Sequence, residues 1–217
     1  MCNECPENNK VSVIKRLLKE LDEKSKDTLS HCYNVVNYAT GFARYIQCSQ
    51  EEVVNLHYAA LLHDIGKLKI PSEILDKVER LTQEEYEIIK THSYYGYEIV
   101  QHTGVFSEEL ELILHHHERI DGNGYPHKLV NNNISKLCKI LSICDSFDAM
   151  VSKRTYKASM TIDEAIKELV NNVEKQFDRE LVNLFVAFIK NFELKENNYY
   201  SKIDALNNDL NFLPRTL

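Results

Sequence analysis

Glycine and proline are scarce in this chain, and that scarcity constrains its fold more than any other feature. The 217 residues include only 6 Gly and 4 Pro, too few for the many turns of a β-sandwich. Long helices need few such breaks. No segment repeats with a period of about 20–50 residues, so a solenoid is not expected. We therefore predict an all-α fold.

Capping boxes mark where three of the helices should begin. The pattern of Ser or Thr followed three residues later by Glu occurs at Ser49 and Glu52, at Thr82 and Glu85, and at Thr161 and Glu164. We expect the first of these helices to end near Gly66. Ser107 is the expected N-cap of another helix. Apolar spacing and polarity predict further helices over 134–152 and 178–192, with one or two within 9–46.

Charge and hydropathy exclude some partners and compartments. The formal net charge is −7, which disfavours a nucleic-acid polymer as partner because such proteins usually carry a basic patch. No apolar run approaches the ~20 residues needed to span a membrane. The first ten residues do not resemble a signal peptide, so we expect a cytoplasmic protein. Its six Cys should be free thiols there, the C-x-x-C pair Cys2 and Cys5 included.

Two segments concentrate residues that bind metals. "LLHDIGKLKIPSEIL" at 61–75 places His63 beside Asp64, with Lys67 one turn later. "HHERIDGNGYP" at 116–126 combines His116 and His117 with an acid and a glycine-rich turn. Imidazole and carboxylate groups together are typical ligands of manganese, iron and zinc. These segments therefore indicate a site for divalent ions.

Four further residues extend this set to five His and three Asp. Asp27 and His31 are spaced i, i+4 and share one helix face, while His92 and Asp145 lie on separate predicted helices. Eight donors exceed what one six-coordinate ion uses, so at least two ions follow if all eight bind. Each residue alone also has an ordinary structural interpretation, such as a hydrogen-bonded core His or a surface acid. Manganese or iron fits this donor set, with zinc as a third choice.

Taken in order, these motifs resemble the HD-GYP branch of the HD phosphohydrolases over about residues 25–190. The resemblance implies an HD-type helical bundle with a metal centre inside it and a loop containing Gly124, Tyr125 and Pro126. It suggests a partly helical N-terminal segment at 1–24, a catalytic domain at 25–191 and a polar tail at 192–217. The implied metal ligands are Asp27, His31, His63, Asp64, His92, His116, His117 and Asp145.

The family also implies roles beyond metal binding. Asp64 and Lys67 would be catalytic, and Tyr125, Arg154 and Lys157 would contact substrate. Two or three divalent ions would activate water for in-line attack on phosphorus. Four histidines fall outside the pattern and are expected to be structural or exposed: His57, His102, His115 and His127.

The implied activity is hydrolysis of cyclic di-GMP to linear pGpG and, in some family members, to GMP. Departures from the family pattern fall in loops, at Lys69, in "VERLT", in "HKL" after Pro126 and at Ser135. They leave two alternatives open, a non-catalytic module that senses nucleotide or binds protein, and a hydrolase of another cyclic dinucleotide. A homodimer and a signalling-protein partner are both compatible with this interpretation.

Overall fold

The fold is all-α, as predicted. The computed structural model of this chain describes residues 6–152 and 159–196, and within them only isolated β-bridges pair extended segments. The helices are α1 (Pro6–Lys24), α2 (Lys26–Tyr45), α3 (Gln50–Leu62), α4 (Ser72–Leu75), α5 (Gln83–Lys90), α6 (His92–Gln101), α7 (Glu109–His115), α8 (Lys136–Val151), α9 (Ile162–Asn171) and α10 (Arg179–Glu196). Short 3₁₀ helices span Ile65–Lys69 and Asn131–Asn133. None of the described helices has the length and apolar character needed to cross a bilayer.

Helix α2 occupies the centre of the bundle and packs against α1, α3, α8 and α10. Its apolar residues, Phe42 among them, are fully buried at intervals of three and four. The Phe42 ring meets Phe185 of α10 edge-to-face, with centroids 5.1 Å apart, and Phe185 also contacts Phe147 of α8. Burying each such side chain stabilises the fold by about 1.5–3 kcal/mol. The core thereby holds α2 and α8 side by side.

Helix α1 belongs to the same core. Its residues Leu17 and Leu21 are buried against the bundle. Lys10 of α1 forms a 3.0 Å ion pair with Glu109 of α7, and the Glu109 side chain is fully buried. The Lys10 ammonium also lies 5.0 Å from the centroid of the Phe106 ring. Helix α1 therefore packs on the bundle through α2 and the 3₁₀ helix Ile65–Lys69, and an ion pair joins it to α7.

All three predicted capping boxes are present, with both reciprocal hydrogen bonds, at the starts of α3, α5 and α9. Ser135 caps α8 by accepting a hydrogen bond from the N–H of Cys138. Ser107 is not the N-cap of α7, contrary to prediction. The helix begins at Glu109, and the Ser107 hydroxyl instead donates to the neighbouring Glu108 carboxylate.

The predicted end of α3 near Gly66 is wrong by one turn. The helix ends at Leu62, and the chain tightens into the 3₁₀ helix Ile65–Lys69, which contains Gly66. This turn lies directly against α6. A Cβ atom at Gly66 would overlap the His92 carbonyl and the Gly96 amide. Gly66 is therefore needed for close approach of two segments and does not mark the end of the helix.

The helix predicted to run through His92 is interrupted immediately before it. Helix α5 ends at Lys90 and α6 begins at His92, with Thr91 between them. The Thr91 hydroxyl donates to the Ile88 carbonyl at 2.6 Å, a local bond that competes with helix continuation. His92 consequently occupies the first position of α6.

The cysteines of the described residues are free thiols, namely Cys32, Cys48, Cys138 and Cys144. Burial raises the pKa of Cys32 and of Cys144 well above the ordinary thiol value, so both behave as small apolar residues at neutral pH. Cys2 and Cys5 lie outside the described residues, and the prediction for them stays a prediction.

Candidate metal centre

Seven of the eight predicted ligands converge inside the bundle. His31 comes from α2, His63 and Asp64 follow the end of α3, and His92 opens α6. His116 and His117 follow α7, and Asp145 lies on α8. Their donor atoms form three overlapping groups, each within 4.8 Å: His31, His63 and Asp64; His63, His116 and Asp145; and His92, His116 and His117. The bundle thus joins donors that lie more than a hundred residues apart in the chain.

The Asp64 carboxylate lies between the two ends of this cluster. Its Oδ1 is 3.4 Å from Nε2 of His92, and its Oδ2 is 3.5 Å from Nε2 of His63. The Oδ2 atom also accepts a 2.6 Å hydrogen bond from Lys67 Nζ. One carboxylate therefore faces histidines of two donor groups and could serve either group as a ligand.

The Asp145 carboxylate, like that of Asp64, lies near histidines from different helices. Its Oδ1 is 2.9 Å from Nε2 of His31 and 3.8 Å from Nε2 of His63. Its Oδ2 is 3.9 Å from Nδ1 of His117. The two aspartates together thus connect the histidines of α2 and α3 with those of α6 and α7.

Hydrogen bonds to the backbone orient three of the histidines of the cluster. The three are His63, His92 and His116. In each, Nδ1 donates a hydrogen bond of 2.7–2.8 Å to the backbone carbonyl three residues earlier. The proton on Nδ1 leaves Nε2 unprotonated and able to ligate an ion. Backbone geometry at helix ends thereby determines which nitrogen faces the cluster.

Two observations show that these nitrogens lack suitable protein partners. Nε2 of His92 and Nε2 of His116 are 3.2 Å apart, yet neither carries a proton to donate. Nε2 of His63 is buried without a hydrogen-bond partner among the described residues. Unpaired buried polar atoms are costly, and a cation among them would remove that cost. The donor set therefore fits divalent metal ions.

His31 is oriented differently, by a residue that sequence reasoning missed. Its Nδ1 contacts Oδ2 of Asp148 at 2.6 Å, and its Nε2 contacts Oδ1 of Asp145 at 2.9 Å. Asp148 is buried on α8, one turn beyond Asp145. The sequence does carry a signal for it, because Asp148 is a second carboxylate on an otherwise apolar helix. A carboxylate buried in such surroundings needs a charged or hydrogen-bonding partner.

Burial keeps most of these imidazoles neutral. It lowers the pKa of His92 to about 4 and that of His117 to about 3, assisted at His117 by the neighbouring His92. Burial likewise lowers the pKa of His63 and takes that of His116 well below its ordinary value. Neutral imidazole is the form that binds metals, so the fold supplies these ligands ready for binding.

The aspartates and His31 carry the charges of the site. Burial alone would raise the pKa of Asp64, but Lys67 and His63 outweigh it and hold that pKa well below the usual value. Burial alone would lower the pKa of His31, but its hydrogen bonds to Asp145 and Asp148 raise it to about 9. With these pKa values, the site holds ionised carboxylates together with a protonated His31 at neutral pH.

Tyr125 forms part of the rim of the cluster. Its ring centroid lies 4.8 Å from that of His117 and 6.3 Å from that of His92. Burial raises the pKa of its hydroxyl above the ordinary value, so the hydroxyl keeps its proton and can donate. Lys90 places its ammonium 5.8 Å from the Tyr125 ring centroid. The Tyr125 phenol thus lies beside two histidines of the cluster, with the Lys90 ammonium near its ring.

The loop that carries Tyr125 is held by Glu118, another residue that sequence reasoning left without a role. The buried Glu118 carboxylate accepts hydrogen bonds from the N–H groups of His127 and Leu129, at 2.6 and 2.9 Å. Gly124 lies so close to the preceding turn that a Cβ atom would be 2.5 Å from the Arg119 nitrogen. The position of the loop that carries Tyr125 therefore depends on the backbone at Glu118 and Arg119, directly after His117.

One predicted ligand, Asp27, does not join the cluster, and two predicted substrate residues lie outside the described part of the chain. Asp27 is exposed in the first turn of α2, one turn before the buried His31, and belongs to none of the three donor groups. A separation of four residues moves it about 6 Å along the helix axis. Arg154 and Lys157 lie outside the described residues.

Comparison with known proteins agrees with this geometry. The model of the HD domain family matches residues 10–181. A 3'3'-cGAMP-specific phosphodiesterase of Vibrio cholerae is 34% identical over 83% of this chain and 39% of its own length. A cyclic di-GMP phosphodiesterase of Thermotoga maritima is 36% identical over 82% of this chain and 49% of its own length. The chain thus spans half or less of these two relatives.

Solved structures support the same fold. The HD domain of the phosphodiesterase PgpH from L. monocytogenes, solved in complex with cyclic-di-AMP, superposes with a TM-score of 0.62. The match covers 85% of this chain and 97% of that domain, at 20% sequence identity. At this identity the likeness concerns the fold alone.

Proposed function

This chain belongs to the HD domain family, in its HD-GYP branch, and we propose that it is a metal-dependent phosphodiesterase that hydrolyses cyclic di-GMP. The product would be linear pGpG, with GMP following if the second phosphodiester is also opened. One observation carries the proposal: two carboxylates, Asp64 and Asp145, each lie between histidines that come from different helices. That arrangement suits paired ions acting on a phosphodiester.

We propose two ions in the cluster, manganese or iron, with zinc as the third choice. Bound ions would supply an activated water and would neutralise charge on the phosphoryl oxygens. A third ion would require Asp27, which is exposed in the first turn of α2. His31 would have to release a proton on ligating, because its pKa is about 9 without metal.

The surrounding side chains would bind and orient the phosphate. Lys67 is 16% exposed, so its ammonium, bonded to Asp64, reaches the edge of the cluster where a phosphoryl oxygen could accept from it. Tyr125 can donate its hydroxyl proton in a hydrogen bond at the same edge. Arg154 and Lys157 remain the proposed phosphate ligands from the segment after α8.

The test is hydrolysis by anaerobically purified protein loaded separately with manganese and with iron. Cyclic di-GMP is added, and the nucleotides are separated by chromatography. We expect pGpG or GMP from the wild type and none from Asp64→Ala. The Lys67→Ala variant should bind metal normally but turn over more slowly. Intact substrate with metal bound would overturn the proposal and favour a non-catalytic sensing or protein-binding module.

A second substrate is favoured by one observation. The V. cholerae relative is named a 3'3'-cGAMP-specific phosphodiesterase, so a mixed cyclic dinucleotide is the alternative substrate. Parallel assays with cyclic di-GMP, 3'3'-cGAMP and cyclic-di-AMP would rank the three by kcat/KM. A cytoplasmic location and a homodimer or signalling-protein partner stay predictions.

A further inference from the structure

Helix α5 places no buried residue in the core of the bundle, yet it ends beside the metal centre. Tyr86 and Lys90 are four residues apart on this helix and therefore share one of its faces. His92 of the cluster follows directly after the break at Thr91. The helix end that carries Lys90 thus also leads into a residue of the metal centre.

The Lys90 ammonium lies close to two phenol rings. It is 4.9 Å from the centroid of the Tyr86 ring and 5.8 Å from that of the Tyr125 ring. The Tyr125 ring centroid in turn lies 4.8 Å from that of His117. A positive charge is therefore only two ring contacts away from a histidine of the cluster.

Helix stability does not account for this placement. Lys90 pairs with Glu87 at 2.7 Å, and the two side chains are 27% and 55% exposed. Ion pairs this exposed contribute little to stability. An ammonium has three N–H donors, and Glu87 is the single hydrogen-bond acceptor of the Lys90 ammonium among the residues that the structure describes. Donors are therefore available to a ligand at the rim.

Cations near the cluster matter because the protein as a whole is negative. The formal net charge is −7, so an anionic substrate must be attracted by local positive charge. Lys67 donates to Asp64 at 2.6 Å and is therefore placed to serve the phosphodiester that is attacked. Lys90, in contact with Tyr125 at the rim, is placed to serve a second anionic group of the same substrate. A cyclic dinucleotide has such a group, because its ring contains two phosphodiesters.

We propose that Lys90 binds the second phosphate of a cyclic dinucleotide, the one that is not attacked, and that Tyr86 positions the Lys90 ammonium. This inference rests on the proposed phosphodiesterase function and narrows its substrate class. A ligand with two phosphates in one ring is bound more tightly than a ligand with a single phosphodiester. The contact does not distinguish between bases, so it serves cyclic di-GMP and 3'3'-cGAMP alike.

Steady-state kinetics of the metal-loaded protein tests the contact. In Lys90→Ala the KM for cyclic di-GMP should rise about tenfold and kcat should fall much less, because the contact is the same before and during the attack. Lys90→Arg keeps the charge and should recover most of the loss. Tyr86→Ala should raise KM by a smaller factor, and Tyr86→Phe, which keeps the ring, should restore it.

Lys77→Ala is the matched control. The Lys77 side chain is 26% exposed and pairs with Glu85 of α5 at 2.7 Å, so its exposure and its ion pair resemble those of Lys90. Glu85 and Lys90, however, point about 140° apart around the helix axis. Lys77→Ala should therefore have the KM of the wild type.

The linear dinucleotide GpG separates the two phosphates of the substrate. It has the same two bases and one phosphodiester but no second phosphate. As a competitor of cyclic di-GMP, GpG should have nearly the same inhibition constant against wild type and Lys90→Ala. A Lys90→Ala protein with the KM of the wild type, or one that loses as much affinity for GpG as for cyclic di-GMP, would overturn the contact.

Calorimetry distinguishes a failure of this inference from a failure of the proposed function. If metal-loaded protein leaves cyclic di-GMP intact, the proposed hydrolysis fails, and the affinity for the intact nucleotide is measured instead of KM. An affinity about tenfold weaker in Lys90→Ala than in Lys77→Ala would then retain the phosphate contact. Equal affinities, or no binding, would overturn it as well. Hydrolysis with equal KM values in the two variants would overturn the contact alone.

Discussion

Nδ1 of His31 donates a 2.6 Å hydrogen bond to Oδ2 of Asp148, deep inside the bundle. The other Asp148 oxygen accepts from the Ser152 hydroxyl at 2.7 Å. Together these bonds hold the His31 ring so that its Nε2 faces Asp145 and the cluster. Carboxylates in this position orient histidine ligands and raise their basicity. We infer that Asp148 is a positioning residue for the metal centre.

Replacing Asp148 by Asn should weaken metal binding without removing a ligand. The amide keeps a hydrogen-bond acceptor near His31 but loses the charge, and losses of this kind typically cost about 10–100-fold in metal affinity. Metal content after dialysis against graded chelator would measure the change. Ser152→Ala, which removes only the neighbouring hydroxyl, should lie close to wild type. An Asp148→Asn protein with unchanged affinity would exclude the positioning role.

Without metal, the protein should lose stability as the pH falls below neutrality. The pKa of His92 is lowered to about 4 and that of His117 to about 3, against an ordinary value of 6.5. A histidine whose pKa is lower in the folded than in the unfolded protein stabilises the folded state above pH 6.5. That stabilisation is lost as the pH falls through the pKa of the folded protein. The unfolding temperature in chelator should therefore decline between about pH 6.5 and 4. Bound metal should suppress the decline, since it competes with protons for these rings.

His31 should produce the opposite trend on the alkaline side. Its pKa is raised to about 9. The stabilisation of the folded state by protonated His31 is therefore fully present below pH 6.5 and is lost as the pH rises through about 9. In chelator, the unfolding temperature of the wild type should fall over that range. The His31→Gln protein should lack this alkaline component and keep the acidic one. Identical alkaline profiles for both proteins would contradict the assignment of the charge to His31.

Gly124→Ala should displace the loop that carries Tyr125. The added methyl would be 2.5 Å from both the Arg119 nitrogen and the Glu118 Cα, so backbone must move, at a cost of about 1–3 kcal/mol. Because His117 lies in the same turn, turnover should fall on the order of 100-fold. Chemical denaturation and kcat on the proposed substrate would measure the two effects.

Gly104→Ala is the control for that substitution. Gly104 has φ of 68° and no neighbouring atom within 4 Å of an added Cβ, so Ala there is strained without a clash. It should cost about 1–2 kcal/mol of stability and leave turnover unchanged. Equal losses of activity in both proteins would show that destabilisation, and not loop displacement, is responsible.

Lys10→Ala should destabilise the protein because it leaves the buried Glu109 carboxylate without its partner. Breaking a buried ion pair costs about 3–5 kcal/mol. The Lys10 side chain is 27% exposed, so we expect a value near the lower end. Lys10→Met combined with Glu109→Leu should recover part of the loss, since no charge then stays buried. Lys19→Ala, which breaks an exposed pair with Glu23, should change stability by no more than about 1 kcal/mol.

Local signals predicted helix starts better than helix ends. Capping boxes at Ser49, Thr82 and Thr161 formed as expected because both partners lie within four residues of each other. The end of α3 was misplaced because Gly66 is required by its contact with α6, which no local pattern reveals. The break at Thr91 was missed for a similar reason, since Thr is tolerated within helices and only its bond to Ile88 marks the interruption.

The sequence identified most of the candidate metal ligands, but it predicted only part of how the side chains of the site are arranged. Adjacent pairs such as His63–Asp64 and His116–His117 stand out in the sequence because neither core packing nor helix stability explains them. Glu118 does not stand out, and Asp148 does so only as a second carboxylate on an apolar helix, since their roles depend on partners 9 or more and 117 residues away. His115 and His127 were expected to be structural or exposed, and their close pairing appears only in the folded chain.

By itself, the sequence determined the helical class, most of the helix starts and the chemistry of the candidate ligands. These depend on local propensity, capping and side-chain type, all of which act within a few residues. Only the tertiary structure decided which nitrogen of each histidine faces the cluster, that Asp64 and Asp145 lie between the helices, and that Asp27 is exposed while His31 is buried. Those outcomes depend on packing α2, α3 and α6–α8 together, and packing is set by contacts between residues distant in the chain.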